Sequence, residues 1–519
     1  MHRLVIALVT LIGLAGATFL AGYLLLFSTV TDRAAGLAPA DSAIYVNVYL
    51  QPSAGQQMNL GGLIGRFPGF ADEASLDDKV DQVVGNLIGA VGIELDYETQ
   101  VKPWLGSQAA VAAWTTDADP IAVVVVHVKD GELALASMSD LAETSSTEMT
   151  STSYAGVDIQ VGGDQAYAIV GDMLVLSDSA EPIEAVIDVR DGADALASRA
   201  DFRATMGDLP ADHLASVFVD VAALSEATAV GEQLSPFSTA GAALVAETDG
   251  LRLSGSAPFD TVTATSSATA GFGLGGEPSS LVDWMPQDTI AEAVVFGLRR
   301  TLEDAEEAAG NMPEGQEIVG ALDSFRALAA FGLGVDVDAD LLPLLDREVG
   351  VAFAGMDGDL PRGQLLLRPE DPEAGVAALD RLVSGLGAIG ATSRITTHDG
   401  DEITILSIPD TIDLAYATRD GIIIIGTGVE DVVASLNAHA SGDALATGAR
   451  YQRTFEVAGA RAGNEIFVDI AAAASLAGET LSLPADARDI LSRIGTFGFT
   501  APSHADQIEF HAVLTVDEP

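Results

Sequence analysis

The stretch DALASRADFRATMGDLPADHLASVFVDVA at residues 194–222 returns as DALATGARYQRTFEVAGARAGNEIFVDIA at residues 443–471. The offset is 443 − 194 = 249 residues, no gap is needed, and 11 of the 29 aligned positions are identical. Similarity at one long fixed offset is typical of a duplicated domain. The sequence therefore predicts two tandem copies of one module, and the other segments can be assigned relative to them.

The composition indicates a folded and strongly acidic protein. The chain has 519 residues, 48% of them hydrophobic, which allows two or three cores and excludes a disordered chain. Its net charge of −52 repels phosphate backbones, so we expect no nucleic-acid partner. The acidic residues are dispersed, which favours a solvated acidic surface over a site that captures cations. Cysteine is absent, which excludes disulfides and Cys-based metal sites.

Residues 4–30 contain no charged side chain. At about 1.5 Å per residue this run makes roughly 40 Å of helix, enough to cross a hydrocarbon core of about 30 Å. The apolar region of a cleaved signal is shorter, about 7–15 residues, so we favour an uncleaved anchor. Arg3 puts the amino terminus in the cytoplasm and everything after Thr31 outside. We therefore expect a single-pass cell-membrane protein that contacts lipid through residues 4–30 and is otherwise extracytoplasmic.

The repeat and the composition divide the chain into four parts. Residues 1–38 are predicted to be a transmembrane anchor with a short linker, and residues 39–259 the first copy. Residues 260–281, which are rich in Ser, Thr and Gly, are predicted to be a second linker. Residues 282–519 form the second copy.

Short apolar runs between turn signals predict strands arranged in hairpins. In the first copy, residues 43–50 (AIYVNVYL) are predicted to form a strand and residues 157–176 a three-stranded meander. Apolar residues at helical spacing predict a helix over residues 76–91. The Gly-rich residues 61–70 are predicted to be a turn region, and the Ser/Thr-rich residues 145–153 a loop.

The second copy repeats this order. Residues 319–330 and 373–386 are predicted to be helices, residues 349–354 a strand, and residues 403–426 a meander. Hairpins with helices inserted in blocks predict an α+β fold for each copy, mainly antiparallel sheet with covering helices. A parallel doubly wound sheet is less favoured.

Two short motifs carry a resemblance to a known family. Pro39-Ala40-Asp41 opens the first strand, and Lys102, Pro103, Trp104, Leu105 and Gly106 precede a later one. With the hydrophobic N-terminal segment, this pattern resembles a family of uncharacterised bacterial proteins catalogued as a domain of unknown function. The resemblance implies an anchored extracytoplasmic protein and supplies no activity. The second copy has Leu344 where the first has Trp104. The Trp is interpreted as a packing residue, with ligand stacking beside Lys102 as the alternative.

Asp336, Asp338 and Asp340 resemble the start of a calcium loop. The places of the required glycine and bidentate acid hold Leu341 and Arg347, so surface acids are the favoured interpretation.

The segment Gly-Thr-Gly at residues 426–428 joins a predicted strand to a predicted helix, as a phosphate-binding loop does. Glu430 and Asp431 follow it and would repel a phosphate. Asp220 and Asp469 end the repeated Phe-Val-Asp strands and are predicted to cap the next helices rather than to catalyse. The histidines have no metal-ligand spacing, and no G-x-S-x-G motif occurs, so no catalytic residue, metal or cofactor is assigned.

The favoured function is non-enzymatic binding or scaffolding of another envelope component outside the membrane. An alternative is carriage of an apolar ligand between sheets and helices, which requires an apolar cavity. A hydrolase that uses paired carboxylates is a weaker third hypothesis, because acid pairs arise by chance among 76 acidic residues.

Overall fold

The computed structural model describes residues 32–67, 97–115, 120–144, 147–227, 237–259, 276–310, 315–358, 360–388, 390–408, 413–480, 490–502, 504 and 507–518. The chain divides into two compact units, Met1–Asp260 with Val516–Pro519, and Thr261–Thr515. Both combine antiparallel strands with helices, as the predicted α+β class requires. The predicted anchor at residues 4–30 and the predicted helix at residues 76–91 lie outside the described residues.

The first unit contains ten described strands. They are β1 Ile44–Tyr49, β2 Leu105–Thr115, β3 Pro120–Val128, β4 Thr150–Tyr154, β5 Val157–Gly162, β6 Gln165–Val170, β7 Met173–Ser177, β8 Ala215–Asp220, β9 Thr239–Glu247 and β10 Gly250–Pro258. Antiparallel pairing arranges them in the order β4-β5-β6-β7-β3-β2-β1-β8-β9-β10. The described helices are α1 Ala54–Ile64, α2 Gly131–Thr144, α3 Ala180–Arg190, α4 Ala200–Gly207 and α5 Val221–Ala227.

The second unit also contains ten described strands. They are β11 Ala291–Phe296, β12 Glu348–Asp357, β13 Leu360–Arg368, β14 Thr392–His398, β15 Asp401–Ser407, β16 Asp413–Arg419, β17 Ile422–Gly426, β18 Asn464–Asp469, β19 Ile494–Ala501 and β20 Gln507–Val516. Their order is β14-β15-β16-β17-β13-β12-β11-β18-β19-β20. The described helices are α6 Leu298–Gly310, α7 Gln316–Leu328, α8 Pro372–Ala388, α9 Val429–Ser441, α10 Ala449–Ala458 and α11 Ile470–Thr480.

The strand registers of the two units also correspond. Across the central strand, the paired residues are Ile44 with Ala113 and Val219 in the first unit, and Ala291 with Phe353 and Val468 in the second. The offset from β8 to β18 is 468 − 219 = 249 residues, the same as that of the repeated stretch. Sequence repeat and strand pairing therefore align the same residues.

A buried pair of threonines joins a helix to a strand in each unit. Thr205 Oγ1 lies 2.7 Å from Thr239 Oγ1, and Thr454 Oγ1 lies 2.5 Å from Thr496 Oγ1. The threonine methyl groups need a glycine opposite them, because a Cβ at Gly241 or at Gly498 would lie less than 3.0 Å from the methyl carbon. The repeated stretch supplies the helical threonine in both units, which fixes how the helix sits on the sheet.

Two local predictions for the first unit are wrong. Helix α1 includes Gly61 and Gly62 of the predicted turn region, because Ser53 accepts a bond from the Gln56 amide and α1 buries Leu60 and Leu63. Strand β4 includes the last four residues, 150–153, of the predicted loop at residues 145–153. Its polar side chains are largely exposed, and backbone pairing with β5 holds it in the sheet.

The predicted linkers are partly folded. Ala34, Ala35 and Ala38 are buried in the first unit, although they fall in the predicted linker that ends at residue 38. Residues 276–281 fall in the predicted linker 260–281, but Ser279 is buried and donates a hydrogen bond to Glu348. Both segments belong to the units that follow them.

Among the described residues, no single helix is both long and apolar enough to cross a bilayer. The bent pair Gln316–Leu333 and Val337–Leu345, which turns through 86°, passes by length and composition only.

Candidate functional site

The Lys102–Gly106 segment connects the turn Tyr97–Val101 to strand β2. Its Trp104 side chain is buried, and the indole N–H donates to the Gln100 carbonyl at 2.5 Å and to Ser137 Oγ at 3.1 Å. Hydrogen bonds therefore hold the N–H edge of the indole, and apolar residues of α2 and β3 pack against the rest of the ring. The indole fills space between this segment and α2, as expected of a packing residue.

The other family-pattern residues have distinct positions. Lys102 is exposed and pairs with Glu98 at 3.3 Å. Pro103 lies in the turn that leads to the buried Trp104. Gly106 allows close approach of two strands, because a Cβ there would lie 2.2 Å from Nδ1 and 2.5 Å from the carbonyl oxygen of His127. These positions surround one packed corner and do not converge on a cleft.

His127 occupies the space that Gly106 leaves. Its Nδ1 accepts a bond from the Ser107 amide at 2.9 Å, and its Nε2 lies 3.3 Å from Arg33 Nη1. Burial lowers the pKa of His127, and the nearby Asp172 carboxylate opposes that shift. The imidazole is therefore held as a neutral acceptor within the first unit.

The corresponding corner of the second unit is open. Leu344 stands where the strand register puts Trp104, since 344 − 104 = 240 equals the offset 353 − 113 of the paired strands β2 and β12. A surface cavity of about 450 Å³ lies beside it, between the turn Val337–Leu345 and α8. This cavity has room for a small ligand.

The candidate calcium loop is engaged in other contacts. Asp336 accepts bonds from the amides of Asp338 and Ala339, as a capping residue does. Asp338 pairs with Arg326 at 3.0 Å, and Asp340 pairs with Arg381. Across the residues that the structure describes, no three His, Asp or Glu side chains are placed to hold a metal ion together.

In the candidate phosphate loop, the carboxylate of Asp431 takes the hydrogen bonds that a bound phosphate would need. Asp431 is buried and accepts bonds from Thr427 Oγ1 at 2.7 Å and from Arg362 Nη2 at 2.9 Å. A Cβ at Gly426 would lie 3.0 Å from the Asp431 Cβ, so the glycine makes room for that carboxylate. The interpretation of this segment as a structural turn agrees with these contacts.

The repeated aspartates are helix caps, as predicted. Asp220 Oδ1 accepts the Ala223 amide at 2.9 Å, and Asp469 Oδ1 accepts the Ala472 amide at 2.8 Å. Each also pairs with an arginine on the preceding helical segment, Asp220 with Arg199 at 2.7 Å and Asp469 with Arg450 at 3.0 Å. Their carboxylates join each Phe-Val-Asp strand to the helices on both sides of it.

The second unit contains a buried glutamate cluster that was not predicted from the sequence. Glu465 is fully buried, accepts a bond from Tyr451 Oη at 2.7 Å and lies 3.3 Å from Arg461 Nε. Glu292 lies on the adjacent strand with 3% of its surface exposed, and neither of its carboxylate oxygens has a hydrogen-bond partner. Burial raises the pKa of Glu292 well above its ordinary value, and the charge of Glu465 raises it further.

A third glutamate lies on the same face of the sheet. Glu348 is buried and accepts bonds from Arg368 Nη1 at 2.5 Å and from Ser279 Oγ at 3.0 Å. The signal in the sequence was a glutamate at an inward-facing position of each strand, β11, β12 and β18.

At the positions equivalent to these glutamates, the first unit has mainly uncharged polar side chains. Tyr45, the counterpart of Glu292, donates to Asp32 Oδ1 at 2.7 Å. Gln108, the counterpart of Glu348, donates to Asp32 Oδ1 at 2.6 Å and to Asn47 Oδ1 at 2.8 Å. The two units therefore share a framework and differ in the charge they bury.

Comparisons with known proteins identify the family to which this chain belongs. A family model described as "Protein of unknown function (DUF3352)" matches residues 4–514. No curated protein matches the chain. The solved crystal form III of TP0453 covers 46% of this chain and 82% of its own, at 10% identity and a TM-score of 0.26. Crystal form I of TP0453 covers 43% of this chain and 77% of its own, at 10% identity and a TM-score of 0.24.

Proposed function

Because this chain belongs to a family of unknown function, we propose a role from its own residues. The protein is a membrane-anchored, extracytoplasmic component that binds or scaffolds another part of the cell envelope and does not catalyse a reaction. The uncharged residues 4–30 support the anchor, since they are long enough to cross a bilayer as a helix.

The extracytoplasmic part consists of two copies of one module, residues 39–259 and 282–519. This proposal rests on the repeated stretch, on the matching order of ten strands and on the shared offset of 249 residues in β8 and β18. Duplication gives a tethered protein two related surfaces that can diverge separately. Two linked binding sites increase the overall affinity of a scaffold, because the second binding event becomes intramolecular once the first site is bound.

The observation that carries a non-catalytic role is the way the candidate acids are used. Asp220 caps a helix, Asp431 accepts bonds from its own turn, and Asp340 pairs with Arg381. A catalytic acid or base needs a free face toward a substrate. The acid pair Glu292 and Glu465 is buried at 3% and 0% exposure, so a glycoside has no path to it, which weakens the hydrolase hypothesis.

A second candidate function is the binding of a small, partly apolar ligand. The surface cavity of about 450 Å³ in the second unit favours it, since ligand sites commonly measure about 300–1,000 Å³.

Membrane fractionation tests the anchored role. The full chain is expected to stay with membranes after an alkaline carbonate wash, and a variant that lacks residues 4–30 is expected in the soluble fraction. Release of the full chain by the wash would contradict the anchor.

Robust, pH-dependent turnover of any substrate class by the purified chain would contradict the non-catalytic role. A matched variant with Asp220→Asn would then show whether that acid takes part.

A further inference from the structure

The cavity of the second unit has an apolar floor. Pro343, Leu344, Ala374 and Gly375 contribute to its lining, and Leu344 and Gly375 are the buried members. A Cβ added at Gly375 would lie 3.0 Å from Leu344 Cδ2, so the leucine is already packed tightly at the base. The open volume lies outside this contact, where a guest would cover apolar carbon.

Several side chains that line the cavity are smaller than their counterparts in the first unit. Equivalent residues are 240 positions apart in β2 and β12, and 241 positions apart in β3 and β13. The offset of 241 also pairs the residues of α2 with those of α8, because these helices follow β3 and β13. At several such positions the second unit has the smaller residue, among them Leu344 for Trp104, Ala374 for Leu133 and Gly375 for Ala134. In the first unit the indole is fixed by the Gln100 carbonyl and Ser137. A leucine replaces only part of that volume.

The charge around this corner differs between the units at two positions. Glu370 of the cavity stands where the first unit has Lys129, and Leu342 stands where it has Lys102. Asp340, Asp346 and Asp371 also line the cavity, and Arg381 is its basic residue. Arg381 pairs with Asp340, and Arg299 lies 3.5 Å from Asp346. Four carboxylates against two guanidinium groups leave the rim negative.

We propose that this cavity binds a small organic cation with an apolar body, such as an aromatic primary amine. The apolar floor takes the hydrocarbon part, and the carboxylate rim attracts the ammonium group. Organic anions are excluded by the same rim and by the net charge of −52. The inference deepens the proposed binding role and does not depend on the membrane anchor.

Titration calorimetry with the full chain in a neutral detergent tests this site, with detergent alone as the blank. The probes are benzylamine, the neutral benzyl alcohol and the anionic benzoate. Benzylamine is expected to bind saturably at one site, more weakly as salt is added, and benzoate is expected not to bind. Absence of saturable benzylamine binding at millimolar concentrations, or equal binding of benzoate, would overturn the proposal.

Variants locate the site. Leu344→Trp copies the first unit, fills the cavity and is expected to weaken benzylamine binding more than tenfold. Glu370→Lys copies Lys129 and is expected to weaken it about threefold, as suits one exposed charge. Glu402→Lys changes the net charge equally from an exposed position on β15 and is expected to change nothing. Trp104→Leu in the first unit is a second control that leaves the affinity unchanged.

The outcomes separate the two proposals. Equal weakening by Glu370→Lys and Glu402→Lys would assign the binding to overall charge and overturn the site, and so would full affinity in a folded Leu344→Trp variant. If Leu344→Trp does not fold, the Glu370→Lys and Glu402→Lys pair decides alone. Carbonate extraction of the same proteins reports the anchor separately, so a failed cavity leaves the anchored role standing and a failed anchor leaves the cavity standing.

Discussion

Glu292 is a buried acid whose two carboxylate oxygens have no hydrogen-bond partner. It lies on the central strand β11, facing the helices, with both carboxylate oxygens buried and unpaired. Its neighbour Glu465 has Tyr451 and Arg461 as partners and is therefore the better place for a negative charge. We expect Glu292 to hold a proton in the folded protein, which removes the cost of a buried, unpartnered carboxylate.

This arrangement makes the stability of the second unit depend on pH. The unfolded chain releases the Glu292 proton near its ordinary pKa of 4.5, whereas the folded chain keeps it to a higher pH. The contribution of this residue is therefore complete below about pH 4.5 and is lost as pH rises toward the folded pKa, by at most about 1.4 kcal/mol per pH unit. Glu292→Gln is expected to be more stable than the parent at about pH 8 and to have the flatter pH profile.

Hydrogen exchange of β11, corrected for intrinsic rates and compared between about pH 5 and pH 8, measures the effect. Asp194→Asn, an exposed acid of the first unit, is the control and should follow the parent profile. Parallel profiles for the parent and Glu292→Gln would mean that Glu292 is ionised in the folded state.

Gly106 offers a steric test of the Lys102–Gly106 segment. Gly106→Ala forces a methyl group against the His127 backbone and is expected to cost about 1–3 kcal/mol of unfolding free energy or more. Gly62→Ala in α1 is the matched control, because nothing lies within 4 Å of its Cβ, and it should stabilise by about 0.5–1 kcal/mol. Urea unfolding measures both, and a Gly106→Ala variant as stable as the parent would refute the close strand approach.

At the scale of elements, the junction between the Phe-Val-Asp strand and the next helix has the same aspartate cap in both units. Asp220→Ala and Asp469→Ala each remove a cap and are expected to cost about 1 kcal/mol, with less hydrogen-exchange protection in α5 and α11. Asparagine also caps well, so Asp220→Asn should recover most of the loss although it removes the ion pair with Arg199. If the Asn and Ala variants lose the same free energy, the ion pair and not the cap is the stabilising contact.

Elements with a strong pattern were predictable from the sequence, and those that depend on tertiary contacts were not. Strands β1 and β17 are apolar runs between turn residues, and the aspartate caps follow from Phe-Val-Asp before an Ala-rich segment. Strand β4 has no apolar alternation, so only its pairing with β5 distinguishes it from a loop. Helix α1 contains three glycines, which favour a turn until burial of Leu60 and Leu63 is counted.

The candidate site was predictable only in part. The packing role of Trp104 followed from its place between a proline and a glycine. The cavity beside Leu344 did not, because its volume depends on how α8 lies against the turn Val337–Leu345. A single glutamate in a strand is usually an exposed residue, so Glu292 could be identified as buried only once Glu465 and Tyr451 were seen to lie beside it.

At the scale of the whole molecule, the two units keep one strand order and differ in what the equivalent places contain. One unit fills its corner with an indole, and the other leaves a cavity with a negative rim. One buries a tyrosine, and the other a glutamate. These differences are those expected if the two units descend from one duplicated module, as we propose.

The proposed anchor and its orientation can be tested directly because the chain has no cysteine of its own. Single cysteines replace Met58 and Phe331, whose side chains are 77% and 96% exposed, and His2 before the hydrophobic run. A membrane-impermeant maleimide applied to intact spheroplasts is expected to label Met58→Cys and Phe331→Cys at once, and His2→Cys only after lysis. Labelling of His2→Cys in intact spheroplasts, or of the other two only after lysis, would contradict an extracytoplasmic pair of modules held by residues 4–30.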